Sequence, residues 1–266
     1  MKQTLISIIT VVYNGEKYIE STIKSLINQN YKNVEYIIID GKSEDGTLKI
    51  INNYKDNINL LISEKDKGIY DAMNKGIKIA KGNIIGLLNC SDIYSSDKIL
   101  NKVAYTFENN NVDIMYGDLK YIDNNDKITN RFWKSSLYKE NNFLKGWTPP
   151  HPTFFIKKSI YEKYGYFKIQ YQVAADFELM FRFLEFYKIK NFYFPETLIY
   201  MRIGGASNKS FSSIISQNIE IYRILKSYKI NKNYFIYFFN KTLFKFNQYL
   251  KGIWSKLFSK EYFHFY

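Results

Sequence analysis

In the first ninety residues, short apolar runs alternate with segments of helical periodicity. Leu5–Val12, Val34–Ile39 and Ile84–Leu88 are nearly continuous apolar runs, the pattern of strands that are covered on both faces. Asn59–Ile62 is a shorter run of this kind, and Ile69–Ala80 has apolar residues at helical spacing. This alternation predicts an α/β fold with a mostly parallel central sheet and helices on both faces.

The second half of the chain has weaker strand signals and ends in a long amphipathic segment. Pro149–Pro152 argues against an α-helix at that point, and residues 211–260 read as helical. We expect a main domain at 1–205 and a C-terminal helical extension at 206–266. Strands are predicted at Asp113–Gly117, Lys120–Asp123, Ile128–Trp133, Thr153–Ile156, Phe192–Phe194 and Leu198–Met201, and helices at Lys158–Tyr164 and Ala174–Tyr187.

Polar residues follow three of the predicted parallel strands. They are Tyr13-Asn14, Asp40 and the tetrapeptide Asn89–Asp92. Ligands of open α/β sheets bind beyond the carboxyl ends of the strands, so these residues predict the place of a binding site.

Composition and charge narrow the function class. The chain has 266 residues, 46% of them apolar and 24% charged, which is globular composition. Cys90 is the only cysteine, which excludes an intramolecular disulfide and a cysteine zinc cluster. No apolar run approaches the roughly 20 residues of a spanning helix, and no signal peptide is recognisable, so we expect a cytoplasmic location.

The net charge of +13 is concentrated in the last quarter of the chain. Residues 206–266 contain 10 basic and 2 acidic residues, together with 17 of the aromatic residues. A basic surface can bind nucleic acid, an anionic membrane or a phosphorylated substrate, or it can be merely solubilising. Because the excess lies in the extension, it says little about the chemistry of the main domain.

Three motifs carry a resemblance to a known family. The stretch SIITVVYNGEKYIESTIKSLINQNYKNVEYIIIDGKSEDGT, then DKGIYDAMNKGIKIAKG, then LLNCSDIY resemble family 2 glycosyltransferases of GT-A fold in order and spacing. The resemblance covers roughly residues 5–205. It implies inverting transfer of a sugar from a nucleotide-sugar donor, a UDP-sugar, to a hydroxyl of a glycan or lipid-linked acceptor in cell-surface polysaccharide biosynthesis. It also implies a divalent metal, Mg²⁺ or Mn²⁺.

The resemblance assigns Asp40 to the nucleotide. In the family an acid at this position accepts a hydrogen bond from the uracil N–H, a role for which a carboxylate is suited. Thr10, Val12 and Asn14 would flank the same base. The alternative for Asp40 is a turn-forming role before Gly41, since Asp-Gly is a common turn.

The second motif places Asp71 near the ribose or the sugar, with Gly68 allowing close backbone approach. Lys75, four residues further on the same helical face, is also predicted to contact the nucleotide-sugar. The alternative for Asp71 and Lys75 is an ordinary surface ion pair.

The third motif departs from the family pattern. Two nearby carboxylates usually hold the metal against the diphosphate, whereas Asn89-Cys90-Ser91-Asp92 has only one. Asp92 aligns with the last carboxylate and becomes the predicted metal ligand, with Asn89 and Ser91 beside the donor. Mg²⁺ often needs only one or two carboxylates plus phosphate oxygens and water. Cys90 is interpreted as a small core residue.

The resemblance makes Asp176 the general base that removes the proton from the acceptor hydroxyl. The alternative is a helix-capping role, because Asp176 begins a predicted helix. Glu178 is the other carboxylate of this segment, and together with His151 and Trp147 it is predicted to contact the acceptor. Trp147 could equally pack in the core.

Arg202 and the Gly204-Gly205 pair end the main domain. The resemblance predicts a loop that closes over the diphosphate, with Arg202 adding positive charge near the leaving UDP. The alternative is a plain linker to the extension.

For the extension, residues 211–266, we weigh peripheral membrane contact, packing on the domain and nucleic-acid binding, and we favour the membrane over nucleic acid. A sugar-nucleotidyltransferase is disfavoured because no Gly-rich basic loop follows the first strand. A catalytically inactive binding protein of the same fold stays open because one metal-binding carboxylate is missing.

Overall fold

The computed structural model describes residues 3–203, 211–230 and 234–258. Among the described residues, strands and helices alternate as far as the fourth strand, and all of the later strands come before the last two helices. The strands are β1 Ile6–Val12, β2 Val34–Asp40, β3 Leu60–Ser63, β4 Ile84–Leu87, β5 Asp92–Tyr94, β6 Ile114–Ile122, β7 Ile128–Trp133, β8 Phe155–Lys157 and β9 Asn191–Arg202. The helices are α1 Ile19–Ile27, α2 Thr47–Asn52, α3 Ile69–Ile79, α4 Ile99–Asn109, α5 Lys158–Tyr164, α6 Ala175–Met180, α7 Phe211–Ser227 and α8 Tyr234–Phe258.

The strands form one mixed sheet in the order β3-β2-β1-β4-β8-β6-β9-β5, with β7 paired to β6. The first four are parallel, as predicted, whereas β8 pairs antiparallel with both β4 and β6. The register puts Val12 opposite Asp40 and Asp40 opposite Ser63. The ends of three parallel strands therefore lie in one row.

Helices cover both faces of the sheet, which confirms the α/β class. Successive β1 side chains point to opposite faces. Ile9 and Val11 pack in the core that contains α3, while Ile6 and Ile8 pack in the core that contains α1 and α4. All seven β1 residues are buried, which explains the continuous apolar run.

In the second half of the chain, several predicted strand and helix boundaries differ from the observed ones. The two strands predicted at 113–117 and 120–123 are one strand, β6, and those at 192–194 and 198–201 are one strand, β9. The two long strands pair in parallel with irregular register near Asp118, so tertiary pairing keeps the intervening polar residues extended. The helix predicted at 174–187 is α6 followed by a π-helical segment, Phe181–Phe186.

Two further differences concern short elements. β5 was not predicted, because three residues carry little periodicity and their pairing partner is the distant β9. At the proline cluster, His151–Thr153 forms one 3₁₀ turn. Pro152 fits there because the first N–H groups of a helical turn have no partner within it.

The two C-terminal helices pack on the main domain. Ile224 of α7 and Tyr237 of α8 are buried in the core that also contains α3 and α6. Arg131 of β7 donates from Nε to Gln248 Oε1 of α8 at 3.0 Å. The domain boundary predicted at 205/206 falls outside the described residues and stays a prediction. None of the helices in the described ranges has the length and hydropathy of a transmembrane span.

Candidate active site

Asp40 lies at the end of β2 and is completely buried. Its Oδ1 accepts from the Ser43 hydroxyl at 2.5 Å, and its Oδ2 accepts from the Ser43 N–H at 3.0 Å and the Ser63 hydroxyl at 2.6 Å. The turn-forming interpretation of Asp40 is therefore confirmed. Within the described ranges Oδ1 still has a free lone pair, so recognition of uracil by this enclosed carboxylate stays a prediction that requires the base to reach it.

The loop after β1 is joined to the loop after β2. Asn14 has a positive φ of 49°, its N–H donates to the Ser43 hydroxyl at 2.8 Å, and its Oδ1 accepts from the Glu44 N–H at 2.9 Å. Val12 is buried just before it. Thr10 is fully enclosed, with its hydroxyl accepting from the Tyr36 hydroxyl at 3.2 Å. The Thr10 side chain is therefore closed to the base, and a backbone contact of Thr10 with the base stays a prediction.

Sequence reasoning gave no role to Tyr13, whose side chain is 63% exposed at this edge. A Cβ added at Gly41 would lie 3.4 Å from the Tyr13 Cβ and 2.7 Å from Asp66 Oδ2. Tyr13 thus covers a glycine at the end of β2 and presents an aromatic ring to solvent. The feature of the sequence that could have indicated a role for Tyr13 is its position directly after the first strand.

The first turn of α3 borders the same edge. Gly68 has φ 111°, a value that disfavours side chains, and open space lies where its Cβ would be. Asp71 Oδ2 accepts from the Lys67 N–H at 3.0 Å. Lys75 pairs with Glu64 at 2.8 Å and lies 3.7 Å from Asp71, which confirms the ion-pair interpretation for Lys75.

The Asn89–Asp92 tetrapeptide crosses from β4 to β5. Ser91 has φ 89°, and its N–H donates to the Thr22 hydroxyl at 3.0 Å. Asp92 is only 3% exposed. Burial raises the pKa of Asp92 to about 8, against the opposing effects of a hydrogen bond from Asn89 and the charge of Arg202.

A divalent cation fits these residues only in part. No group of three or more His, Cys, Asp or Glu side chains is arranged for a metal within the described ranges. Asp92 supplies one carboxylate, and Asn89 Oδ1 is an enclosed oxygen without a hydrogen-bond partner among the described atoms. Hard cations take such oxygens, and Mg²⁺ can draw its other ligands from phosphate and water. The donor set suits a cation that arrives with a diphosphate.

Asp176 lies in the first turn of α6 and is partly exposed. Its Oδ1 accepts from the Phe177 N–H at 2.8 Å and from the Tyr70 hydroxyl at 3.2 Å. Burial, and then the negative charge of Asp176, raise the pKa of Tyr70, so this hydroxyl stays a neutral donor. Tyr70 was missed in the sequence, although it stands beside Asp71 in the second motif.

His151 belongs to the same cluster. Its ring meets Phe167 edge-on at 5.6 Å, and Phe167 stacks on Tyr70 at 5.4 Å. Burial lowers the pKa of His151, and the nearby Asp176 charge only partly opposes this. The neutral imidazole and the Asp176 carboxylate are thus close enough for the Asp176 charge to act on the ring, and the acceptor contact of His151 stays a prediction. Tyr70 and Asp71 connect this cluster to the strand ends through one helical turn.

Residues 7–165, well over half of the chain, match the sequence profile of Glycosyl transferase family 2. The chain belongs to this family. It is therefore a glycosyltransferase enzyme, and the polar ends of the parallel strands and the first turn of α3 lie within the matched region.

A relative and two solved structures resemble this glycosyltransferase. The Escherichia coli UDP-Glc:alpha-D-GlcNAc-diphosphoundecaprenol beta-1,3-glucosyltransferase WfgD is 34% identical over 54% of this chain and 57% of its own length. S. aureus TarS 1-349 in complex with UDP-GlcNAc superposes with a TM-score of 0.61 at 17% identity, over 93% of this chain and 73% of TarS. The mannosyltransferase PcManGT from Pyrobaculum calidifontis, in complex with GDP-Man and Mn²⁺, gives 0.60 at 13% identity, over 98% and 77%. These likenesses confirm the GT-A fold.

One residue assigned to the acceptor side of the glycosyltransferase lies inside the protein. Glu178 is completely buried, pairs with Lys168 at 2.8 Å and with Arg182 at 3.1 Å, and accepts from the Tyr228 hydroxyl at 2.5 Å. The prediction that Glu178 contacts the acceptor is wrong, because its carboxylate is enclosed and fully bonded. It lies two positions after Asp176, which points it to another side of the helix.

Arg202 and Trp147 are also turned inward. Arg202 is 4% exposed and pairs through Nη2 with Asp126 at 2.6 Å, so its guanidinium braces the β6–β7 turn. Its charge also opposes the rise in the pKa of Asp92, and its role in adding positive charge near the leaving UDP stays a prediction. Trp147 is 7% exposed and packs against Phe143 at 5.5 Å, so core packing is correct for it and sugar stacking is wrong. The Gly204-Gly205 loop lies outside the described residues.

Proposed function

We propose that this enzyme transfers a sugar with inversion from a UDP-sugar to a hydroxyl of a glycan or lipid-linked acceptor, in cell-surface polysaccharide biosynthesis. The observation that carries the proposal is the Asp176 carboxylate, partly open to solvent and held by the Tyr70 hydroxyl beside His151. A carboxylate in this position can accept a proton from a hydroxyl that comes within hydrogen-bond reach.

In the proposed mechanism, Asp176 orients the acceptor hydroxyl and takes its proton as the oxygen attacks the anomeric carbon. Attack comes from the face opposite the leaving UDP, which inverts the configuration. Tyr70 keeps one oxygen of Asp176 in place, and His151, neutral because it is buried, adds no charge to the site. Asn14, Asp71 and Ser91 border the donor at the strand ends.

Asn89 and Asp92 would hold a divalent cation, Mg²⁺ or Mn²⁺. When bound, such a cation stabilises the negative charge of the leaving diphosphate. The structure of PcManGT with GDP-Man and Mn²⁺ supports a metal in this fold. The single carboxylate predicts weak metal affinity in the absence of nucleotide.

The donor and acceptor classes draw support from the similar proteins. WfgD is named as an enzyme that transfers glucose from UDP-Glc onto a GlcNAc-diphosphoundecaprenol, a lipid-linked acceptor, and TarS was solved with UDP-GlcNAc. The two C-terminal helices add a second line of support for a lipid-linked acceptor.

An exposed apolar stripe runs along α8. It is formed by residues at alternating four- and three-residue spacing, which puts them on one helical face. Residues 206–266 carry 10 basic and 2 acidic residues, a charge that favours anionic lipid over nucleic acid in an aromatic-rich helix. We propose that this stripe contacts the cytoplasmic face of the membrane. Its members are Phe239, Leu243, Phe246, Leu250 and Ile253, each more than 40% exposed.

Nucleotide release tests the transferase proposal. The full chain is incubated with UDP-GlcNAc, UDP-glucose or GDP-mannose, Mn²⁺ and a short-chain lipid diphosphate-GlcNAc acceptor. We expect release with a UDP-sugar for the natural protein and for the surface control Asp56→Asn, and at least a hundredfold slower release for Asp176→Asn. No release with any donor, together with no metal-dependent nucleotide binding, would favour the inactive binding protein instead.

Vesicle flotation tests the membrane proposal. We expect the full chain to float with phosphatidylglycerol-containing vesicles and not with phosphatidylcholine alone. The double variant Phe239→Ser/Phe246→Ser should stay in the soluble fraction, whereas Tyr105→Ser, which removes an equally exposed aromatic from α4, should float normally. Equal flotation of both variants would reject the stripe as the contact surface.

A further inference from the structure

The turn before α6 has backbone N–H groups that its own side chains do not satisfy. Ala174 occupies the N-cap of α6 and makes no side-chain capping bond, because alanine has no acceptor there. A helix start leaves several N–H groups without partners inside the helix. In this chain the turn directly precedes Asp176, so its acceptors determine how the proposed base is presented.

Those acceptors come from α7, almost fifty residues further along the chain. Glu220 Oε1 accepts from the Gln172 N–H at 2.8 Å, and Oε2 accepts from the Val173 N–H at 3.0 Å and the Ala174 N–H at 2.9 Å. One carboxylate thus binds three consecutive backbone donors. Hydrogen bonds to an ionised acceptor are about twice as strong as neutral ones.

This carboxylate is anchored by the packing of its helix. Ile221 and Ile224 of α7 are 2% and 0% exposed, in the same core as Phe177 of α6. The Tyr228 hydroxyl, just beyond α7, donates to Glu178 of α6 at 2.5 Å. The two helices are held together at several points, so Glu220 has a defined position relative to the turn.

The position of Asp176 depends on this turn. Asp176 lies two residues after Ala174, and its own bonds run to the Phe177 N–H and the Tyr70 hydroxyl. A catalytic group displaced by about 1 Å can cost about a hundredfold in rate. Removing the Glu220 bonds would free the backbone that carries Asp176 while leaving the strand ends untouched.

We propose that Glu220 is a positioning residue for Asp176, so that the C-terminal extension completes the acceptor side of the active site. This inference rests on the proposed function of Asp176 as base. It gives α7 a part in turnover that differs from membrane contact, since Glu220 faces the domain.

The test is a kinetic cycle in the full chain with Glu220→Gln, Asp176→Asn and the double variant. Glu220→Gln keeps the side-chain size and loses the charge. We expect it to lower kcat about 10-fold, to leave KM for the UDP-sugar and the affinity for UDP within twofold, and to have no further effect in the Asp176→Asn background. Ser216→Ala, at an exposed position of α7, is the matched control and should retain full kcat.

Two outcomes overturn the inference. One is a Glu220→Gln protein with natural kcat, and the other is an equal loss of residual rate in both backgrounds, which indicates a general structural role. Glu220→Asp, which keeps the charge but shortens the reach, should recover part of kcat if positioning is the cause, and failure to exceed Glu220→Gln counts against it. Full activity of Asp176→Asn would instead reject the proposed base, so the two failures are distinguishable.

Discussion

The proposed nucleotide side and the proposed acceptor side of the site are built in different ways. At the strand ends, Asp40 is bonded by Ser43, three residues later, and by Ser63 on the adjacent strand. On the acceptor side, Asp176 is held by Tyr70, 106 residues away, and its backbone by Glu220, 46 residues from Ala174. The first region is a local product of the parallel β-α units, and the second exists only when distant parts of the chain meet.

We expect substitutions in the two regions to affect different quantities, the free energy of unfolding in one and the catalytic rate in the other. Bonds at the strand ends are buried and internally satisfied, so their loss should destabilise the fold. Bonds around Asp176 are partly exposed and orient a reactive group, so their loss should slow catalysis with little effect on unfolding. Variants on the two sides should therefore move different measurements.

The largest expected effect is that of Asp176→Asn. We expect kcat to fall about a thousandfold, since general base catalysis contributes 10²–10⁴. The urea-derived free energy of unfolding should stay within about 0.5 kcal/mol of the natural value. A loss in the free energy of unfolding well above about 0.5 kcal/mol would mean that Asp176 is mainly a structural cap.

The opposite pattern is expected for Asp40→Asn. One buried carboxylate oxygen is replaced by an amide nitrogen that faces hydroxyl and N–H donors, at a cost of about 2 kcal/mol in the free energy of unfolding. Urea unfolding measures this directly, with the exposed Asp56→Asn as control. A change below 0.5 kcal/mol would contradict the stabilising role of these bonds.

Lys241 gives the comparison a pH dependence. Burial, reinforced by the neighbouring Lys245 charge, lowers the pKa of Lys241 to about 7, with Asp176 opposing the shift. A neutral amine still donates to Asn218 at 2.8 Å and Gln217 at 3.2 Å. Between pH 7 and 10.5 the unfolded chain holds this proton and the folded chain does not, so stability should rise with pH in that window.

Lys241→Met should remove this rise. We expect the difference in unfolding free energy between natural protein and variant to change by up to about 1.4 kcal/mol per pH unit between pH 7.5 and 9.5. The exposed Lys251→Met on the same helix is the control and should run parallel to the natural protein. Parallel curves for Lys241→Met as well would show that its pKa is ordinary.

The smallest expected effect is that of Tyr70→Phe. Loss of one hydrogen bond to Asp176, worth about 1 kcal/mol, should lower kcat about fivefold, while the ring still stacks on Phe167. Steady-state kinetics check this against Tyr105→Phe, an exposed position. An unchanged kcat would remove Tyr70 from the positioning of the base.

The parallel half of the fold was predictable because strands that are buried on both faces have nearly continuous apolar sequences. β1 and β2 appeared as apolar runs, and α3 appeared through its periodicity. The ends of these strands, with Asn14 and Asp40, were located correctly for the same reason. β5 was missed because its three residues are extended only through pairing with the distant β9.

Charge and residue type did not reveal which side chains face the site. Glu178 and Asp176 share one helical segment, yet one is enclosed by Arg182 and Tyr228 while the other is partly open. Arg202 was predicted to add charge near the diphosphate, and nothing in the sequence indicated its ion pair with Asp126 in the β6–β7 turn. These outcomes depend on which partners three-dimensional packing brings within reach.

The sequence by itself determined the family, the parallel β-α core and the row of polar residues at its edge, because these follow from local periodicity and contiguous motifs. Only the tertiary structure decided that α7 reaches back to the turn before Asp176 and that Ser63 of the adjacent strand donates to the buried Asp40. Hydrogen bonds between residues distant in the chain leave no periodic trace. Their energy depends on distance and burial, which exist only after the chain has folded.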